Sequence, residues 1–249
     1  MRPRIPGLIR TKDDRNPREL GAGPPDDEST VYTFPSRSWI PEANPWQAHV
    51  QQESSCVLWA WRAAWLSTQV AEFGHPLMDP WVDIDNVLYP RRHDYAIFVE
   101  GMPLPVGLRI LVDDGYMPPG TTLGQVGADP SAMSDVMSRC PIVAGIGMYD
   151  GFDRMNSYGN PDEARGTADD DGGHAIMIEA LLNPVDAPEK IQHAEILVNN
   201  RHWGDDWGNH GRARLTIPEF LEINWSWWLY YAVLPAGWKE WVKQKAEVA

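Results

Sequence analysis

The chain has 249 residues, of which 43% are hydrophobic and 22% are charged, a composition typical of a folded globular protein and not of a disordered one. Its formal net charge of −14 repels nucleic-acid phosphates and anionic lipid, so we expect neither nucleic acid nor a membrane among its partners. The sequence has no N-terminal stretch typical of a signal peptide and no window as long as a membrane span. We therefore expect a cytoplasmic protein, unless a non-classical route exports it.

Residues 1–30 are rich in Pro, Gly, Arg and Asp and show little apolar periodicity. This composition predicts an extended or disordered N-terminal arm, which is too short to be a folded inhibitory pro-domain. We expect residues 31–249 to form one folded domain.

The first half of this domain is predicted to be helical. Its strongest element spans about 54–70, where serines suited to a helix start precede Cys56 and a mostly apolar body follows. Further helices are expected at about 79–88, 104–114 and 129–139. The last of these has Asp129 as N-cap and Pro130 at its first position, and Gly115 suits the end of the helix before it.

The second half is predicted to be rich in strands. Short apolar or alternating runs, separated by turn residues, lie at 141–148, 174–182, 194–199, 212–217 and 227–234. The polar segment 149–173 is expected to be a loop that leads into His174. The pattern predicts an α+β fold of two lobes with a cleft between them, a helical lobe at about 50–140 and a β lobe at about 141–235.

Cys56 is the first candidate for chemistry. A cysteine in the first turn of a helix feels the positive end of the helix dipole, which is expected to lower its pKa and favour the reactive thiolate. The alternative is a small buried core residue, a common role of a free cysteine.

His174 is the natural base for such a cysteine. It follows Gly172 and Gly173 and opens an apolar run, so its ring could face a cleft and exchange a proton with a thiol. The alternative is a surface histidine or a core histidine with satisfied hydrogen bonds.

A loop rich in tryptophan and glycine, residues 199–211, supplies the third candidate. A side-chain amide there could hold the imidazole in one tautomer while a tryptophan shields that bond from water. The alternative is a purely structural turn.

Taken in order, these motifs resemble those of the papain family of cysteine peptidases. The chain reads QQESSCVLWAW around the cysteine, GGHAIMIEAL around the histidine and NNRHWGDDWGNHGRARL in the loop, and the resemblance covers about 34–235. It implies a papain-like two-lobed fold and peptide-bond hydrolysis by Cys56 and His174 through an acyl-enzyme. It also implies a peptide or protein substrate as partner, and neither a cofactor nor a metal.

The sequence departs from the family pattern at two helper residues. The family's oxyanion glutamine lies six residues before the cysteine, whereas here Gln51 and Gln52 lie five and four before it, and we favour Gln51. The family's asparagine lies two residues before the tryptophan, a place that Arg201 holds here. A guanidinium cannot accept a hydrogen bond, so we favour Asn200, with Asn199 as the alternative.

Other features are assigned minor roles. Asp169, Asp170 and Asp171 are expected to form a solvated turn, and Cys140 to be buried and inert, although one disulfide between the two cysteines remains an alternative. His202 and His210 match no standard metal-ligand spacing.

Two other functions are possible alternatives, one enzymatic and one non-enzymatic. A papain-fold deamidase, acyltransferase or toxin-type effector would keep Cys56 and His174 and change the substrate. A catalytically decayed binding module would explain the shifted glutamine and the extra residue before Trp203.

Overall fold

A computed structural model describes residues 51–79, 83–128, 130–148, 169–182, 195–204 and 207–247. The predicted N-terminal arm, the predicted N-cap Asp129 and residues 149–168 of the predicted loop lie outside the described residues. Within the described ranges, no helix is long and apolar enough to cross a bilayer.

The central helix, α1, spans Cys56–Phe73 and is buried along most of its length. It begins where predicted, with Ser55 at the N-cap, but the Ser55 hydroxyl donates to the carboxylate of Asp85 and makes no cap bond to the helix. The helix ends at Gly74, whose φ of +79° is a conformation that favours glycine.

Two of the other predicted helices, α2 (Leu104–Asp113) and α3 (Pro130–Met137), lie at the expected positions. The helix predicted at 79–88 differs: its described part is a π turn, Ile84–Leu88, followed by a 3-10 helix, Tyr89–Tyr95. Pro90 lacks a backbone donor at this junction, which disfavours a regular α-helix.

Six antiparallel strands form one sheet in the order β1-β6-β2-β3-β4-β5. Their bounds are Thr122–Gly127 for β1, Ile142–Met148 for β2, Asp169–Leu182 for β3, Glu195–Asn199 for β4, Arg212–Thr216 for β5 and Asn224–Val233 for β6. The fold is therefore α+β, as predicted.

Three of the strands differ from the sequence-based expectation. Strand β1 was not predicted because its sequence, TLGQVG, lacks an apolar run; it is an edge strand of the described sheet and pairs with β6. Strand β3 begins at Asp169, so the acidic triplet expected in a loop belongs to a strand. The run predicted at 212–217 ends at Thr216, where helix α4 (Ile217–Ile223) begins.

A reciprocal pair of bonds explains that last boundary. The Thr216 N–H donates to the Glu219 carboxylate at 2.8 Å, and the Glu219 N–H donates to Thr216 Oγ1 at 3.3 Å. This capping box fixes a helix start directly after a strand. The final helix, α5 (Trp238–Ala246), was also not predicted.

Strand β3 separates two apolar clusters and positions the site. Ala175 and Met177 belong to the cluster around α1 and α2, whereas Ile176 and Ile178 belong to the cluster on the other side of the sheet. This alternation follows from the two-residue period of a strand. It fixes β3 against the helix that carries Cys56.

Candidate active site

Cys56 is the first residue of α1, and its side chain is fully buried. Burial raises the pKa of its thiol to about 12, and hydrogen bonds from the backbone of Ala175, Val57 and Cys56 itself oppose this without cancelling it. The expectation that the helix start would lower the pKa of Cys56 is therefore wrong. Burying the thiolate away from water raises the pKa by more than the backbone dipoles lower it. The bond from Ala175 places the sulfur beside the residue that follows His174.

His174 lies inside β3, paired with Ile146 of β2, and not at a strand start as expected. Its ring is fully buried, and its Nε2 lies 2.7 Å from Asn200 Oδ1. Burial lowers the pKa of the imidazole to about 4, with the bond to Asn200 acting in the opposite direction. Pairing with β2 therefore fixes the His174 backbone, Asn200 orients its ring, and burial keeps the ring neutral.

Of the two asparagines that the sequence left open, Asn200 is the one that faces His174. Asn199 points away, because its Nδ2 donates to Glu179 Oε2 at 3.4 Å. The Asn200 backbone is held by the carbonyl of Gly211 at 2.8 Å and by the N–H of Trp203 at 3.0 Å.

The extra residue in this loop is absorbed by a short 3-10 helix, Arg201–Trp203, for which Asn200 is the N-cap. Gly211 closes the loop with a φ of +77°, and a Cβ there would lie 2.7 Å from Arg201 Cα. Glycine is therefore required at this close approach. The tight loop sets the register that brings Asn200 to the imidazole.

One tryptophan packs on the His174 ring, and a second packs on the first. The Trp203 ring lies 4.4 Å from the His174 ring, centroid to centroid, and packs edge-on against Trp207 at 6.1 Å. Trp207 is buried. The Trp203 ring therefore lies directly against the imidazole that Asn200 binds, and both bonded side chains are closed to solvent.

Gln51 lies beside the site, and Gln52 does not. The Gln51 side chain is buried, and its backbone N–H donates to the carbonyl of His202 at 2.7 Å, whereas Gln52 is exposed. The Gln51 Nε2 also donates to the carbonyl of Glu53. Because the Glu53 carbonyl can only accept, the Gln51 atom that faces it is the amide nitrogen. That nitrogen has a second hydrogen, which can donate to another acceptor.

His202 lies in the site, although its position in the sequence suggested no catalytic role. Its buried Nε2 lies 3.2 Å from His174 Nε2, and its ring stacks on Trp59 at 6.5 Å. Within the described ranges, no group of three or more His, Cys, Asp or Glu side chains could hold a metal ion. No sequence pattern marked His202, because the 3-10 helix that turns it inward is the departure from the family motif.

Both cysteines are free, and Cys140 is half-buried. Burial raises the pKa of the Cys140 thiol to about 12. The alternative of a disulfide between Cys56 and Cys140 is therefore excluded in this structure.

No protein-family model matches the chain, and no curated protein matches it. Solved structures do. Xylellain, a cysteine protease from Xylella fastidiosa, superposes with a TM-score of 0.59 at 16% identity, over 94% of this chain and 98% of that one. The digestive procathepsin L2 proteinase of Tenebrio molitor gives 0.56 at 17% identity, over 93% and 78% of the two chains. The bromelain protease of Ananas comosus, solved with the E64 inhibitor, gives 0.53 at 15%, over 81% and 100%.

Proposed function

We propose that this chain, which has the fold of the papain-like cysteine proteases, is a cysteine peptidase that acts through Cys56 and His174. One observation carries the proposal: the 2.7 Å bond between His174 Nε2 and Asn200 Oδ1, in a buried site where the next residue of the strand bonds to the Cys56 sulfur. The bond selects one tautomer of His174, and the contact of the next residue with the sulfur brings the imidazole and the thiol to the same site.

The bond to Asn200 sets the direction of proton transfer. An amide oxygen only accepts hydrogen bonds, so His174 Nε2 carries the hydrogen and Nδ1 presents a lone pair. Nδ1 then takes the proton of the Cys56 thiol as the sulfur attacks the peptide carbonyl carbon. With the thiol pKa raised to about 12 and the imidazole pKa lowered to about 4, the resting pair is neutral, and proton transfer accompanies attack.

The remaining steps use groups already at the site. The Cys56 backbone N–H and the second hydrogen of Gln51 Nε2 would stabilise the tetrahedral oxyanion. His174 returns its proton to the leaving amine, the C–N bond breaks, and a thioester on Cys56 remains. His174 then removes a proton from water, whose oxygen attacks the thioester; the C–S bond breaks, the acid product leaves, and His174 returns the proton to the Cys56 sulfur.

The test is cleavage of a peptide library by the full chain, with Cys56→Ala compared with Cys140→Ala. Cys140 is the matched control because it is a free thiol whose pKa burial also raises. Cleavage that Cys140→Ala keeps and Cys56→Ala loses supports the proposal. Cleavage that survives in Cys56→Ala overturns it, and product masses separate hydrolysis from deamidation by the same residues.

One observation favours a second candidate, a peptide-binding module without turnover. Cys56 is fully buried, and one hydrogen of the Gln51 amide is already engaged by Glu53. Such a module would bind library peptides with the same affinity in the wild type and in Cys56→Ala and would cleave none of them.

A further inference from the structure

A second histidine, His202, lies against the imidazole proposed as the catalytic base. The two Nε2 atoms are 3.2 Å apart, and the ring centroids are 5.0 Å apart with the planes inclined by 34°. The same His174 Nε2 lies 2.7 Å from Asn200 Oδ1. Two potential acceptors therefore converge on one ring nitrogen.

The hydrogen-bonding capacities of these groups assign the tautomers. If His174 Nε2 carries the hydrogen that Asn200 Oδ1 accepts, this nitrogen has no lone pair for a second donor. His202 Nε2 must then be an acceptor, and the hydrogen of the neutral His202 ring lies on Nδ1. The opposite arrangement, with the Asn200 amide reversed and both neighbours donating to His174 Nε2, would protonate His174 Nδ1 and leave no base for Cys56.

The surroundings of His202 favour its neutral form. Its buried ring stacks on Trp59, and the guanidinium of Arg62 lies 5.2 Å from the centre of the Trp59 ring. Burial, His174 and Arg62, in that order, lower the pKa of His202 well below its usual value. Two carboxylates bind the groups beside the imidazole: Asp79 binds Arg62 at 2.6 Å, and Asp85 accepts from Trp59 Nε1 at 3.2 Å.

We propose that His202 is a positioning residue for His174, and that its Nε2 lone pair is a second acceptor, beside Asn200 Oδ1, for the His174 Nε2 hydrogen. The inference rests on the proposed peptidase function. The bond gains strength when His174 becomes an imidazolium during attack, since hydrogen bonds from charged donors are about twice as strong as neutral ones. His202 thus raises the basicity of a base that burial would otherwise weaken.

Two substitutions separate the acceptor from the ring. His202→Phe keeps an aromatic ring on Trp59 and removes the acceptor, whereas His202→Gln keeps an acceptor oxygen and removes the ring. We expect kcat to fall about tenfold in His202→Phe with little change in KM, and to stay within about threefold of wild type in His202→Gln. His75→Phe, at an exposed histidine beyond α1, controls for loss of a histidine.

The pH profile tests for an effect on the base. The acid limb of kcat/KM should move to lower pH in His202→Phe and stay in place in His202→Gln and His75→Phe. An unchanged kcat and acid limb in His202→Phe would overturn the inference. So would an equal loss in His202→Gln, because the stacked ring and not the acceptor would then matter.

Nitrogen-15 NMR of the Cys56→Ala protein tests the pairing without any catalysis. We expect His174 to be protonated at Nε2 and His202 at Nδ1, and a His202 protonated at Nε2 would overturn the inference. A wild-type protein that cleaves no peptide contradicts the proposed function alone, since this spectrum still decides how the two rings are bonded.

Discussion

His174 and Asn200 are joined by a 2.7 Å hydrogen bond between side chains that are both fully buried. The bond connects strand β3 to the loop after β4, so the imidazole is fixed from two separate elements. Its geometry gives His174 a defined tautomer, and the burial of both side chains keeps water away from it. Four predictions follow from the groups around this bond.

Asn200→Ala removes the acceptor and should lower kcat about 10- to 100-fold, because the imidazole loses its preferred tautomer and orientation. The adjacent Asn199→Ala is the matched control, since Asn199 is equally buried but bonds to Glu179. It should lower the free energy of unfolding by about 1 kcal/mol and leave kcat within a few-fold of wild type. Steady-state kinetics and urea unfolding measure both effects, and the opposite ranking of the two kcat values would contradict the assignment.

Gln51→Ala should lower kcat about 100-fold if its amide donates to the oxyanion. Gln52→Ala should leave kcat unchanged, because that side chain is exposed. Kinetics on one peptide substrate compare the two variants directly. Equal kcat values in both would exclude the Gln51 amide from the oxyanion site.

Stability should fall in mild acid because His174 is buried in its neutral form. Its pKa is lowered from 6.5 to about 4, so the unfolded chain binds more protons than the folded one between these values. The contribution is fully present above about pH 6.5 and is lost as the pH falls to about 4, and it amounts to about 3 kcal/mol. The lowered pKa of His202 likewise makes the folded protein less stable as the pH falls.

Urea unfolding at several pH values measures this loss. The wild type should lose about 3 kcal/mol more than His174→Gln between neutral pH and pH of about 4. If the free energy of unfolding fell equally with pH in the two proteins, His174 would not be buried as a neutral ring.

Arg212→Met should destabilise the fold by about 3 kcal/mol, because it removes the guanidinium that pairs with the buried carboxylate of Glu179. Glu179 is fully buried on the strand that carries His174, and Arg212 Nε donates to it at 3.0 Å. The double variant Glu179→Gln with Arg212→Met should recover much of the loss, as measured by urea unfolding. If the double variant were as unstable as Arg212→Met, the buried charge of Glu179 would not be the cause of the lost stability.

Much of the fold was predictable because its signals are local. The apolar run after Cys56, the Pro130 helix start and the strand runs around His174 each specify an element from their own residues. Strand β1 was not predictable in this way, because pairing with β6 stabilises it and its own sequence does not. The start of α4 had a local signal, the Thr216 and Glu219 capping box, that the alternating run before it obscured.

The candidate site was predictable in its residue types but not in its electrostatics. The order of motifs identified Cys56, His174 and the asparagine loop, but the choice between Asn199 and Asn200 depends on where β4 ends and the 3-10 helix begins. The direction in which the pKa of Cys56 shifts depends on the burial of its thiol, which the spacing of residues in the sequence does not reveal. His202 enters the site through a 3-10 helix that only the folded loop shows.

Reaction with an epoxysuccinyl inhibitor, followed by intact-protein mass spectrometry, tests most directly whether His174 activates Cys56. Burial leaves little thiolate at neutral pH unless His174 accepts the proton, so labelling should depend on both residues. We expect one adduct, on Cys56, in the wild type and in Cys140→Ala, and none in His174→Ala over the same time. An unmodified wild-type protein, or equal labelling in His174→Ala, would contradict it.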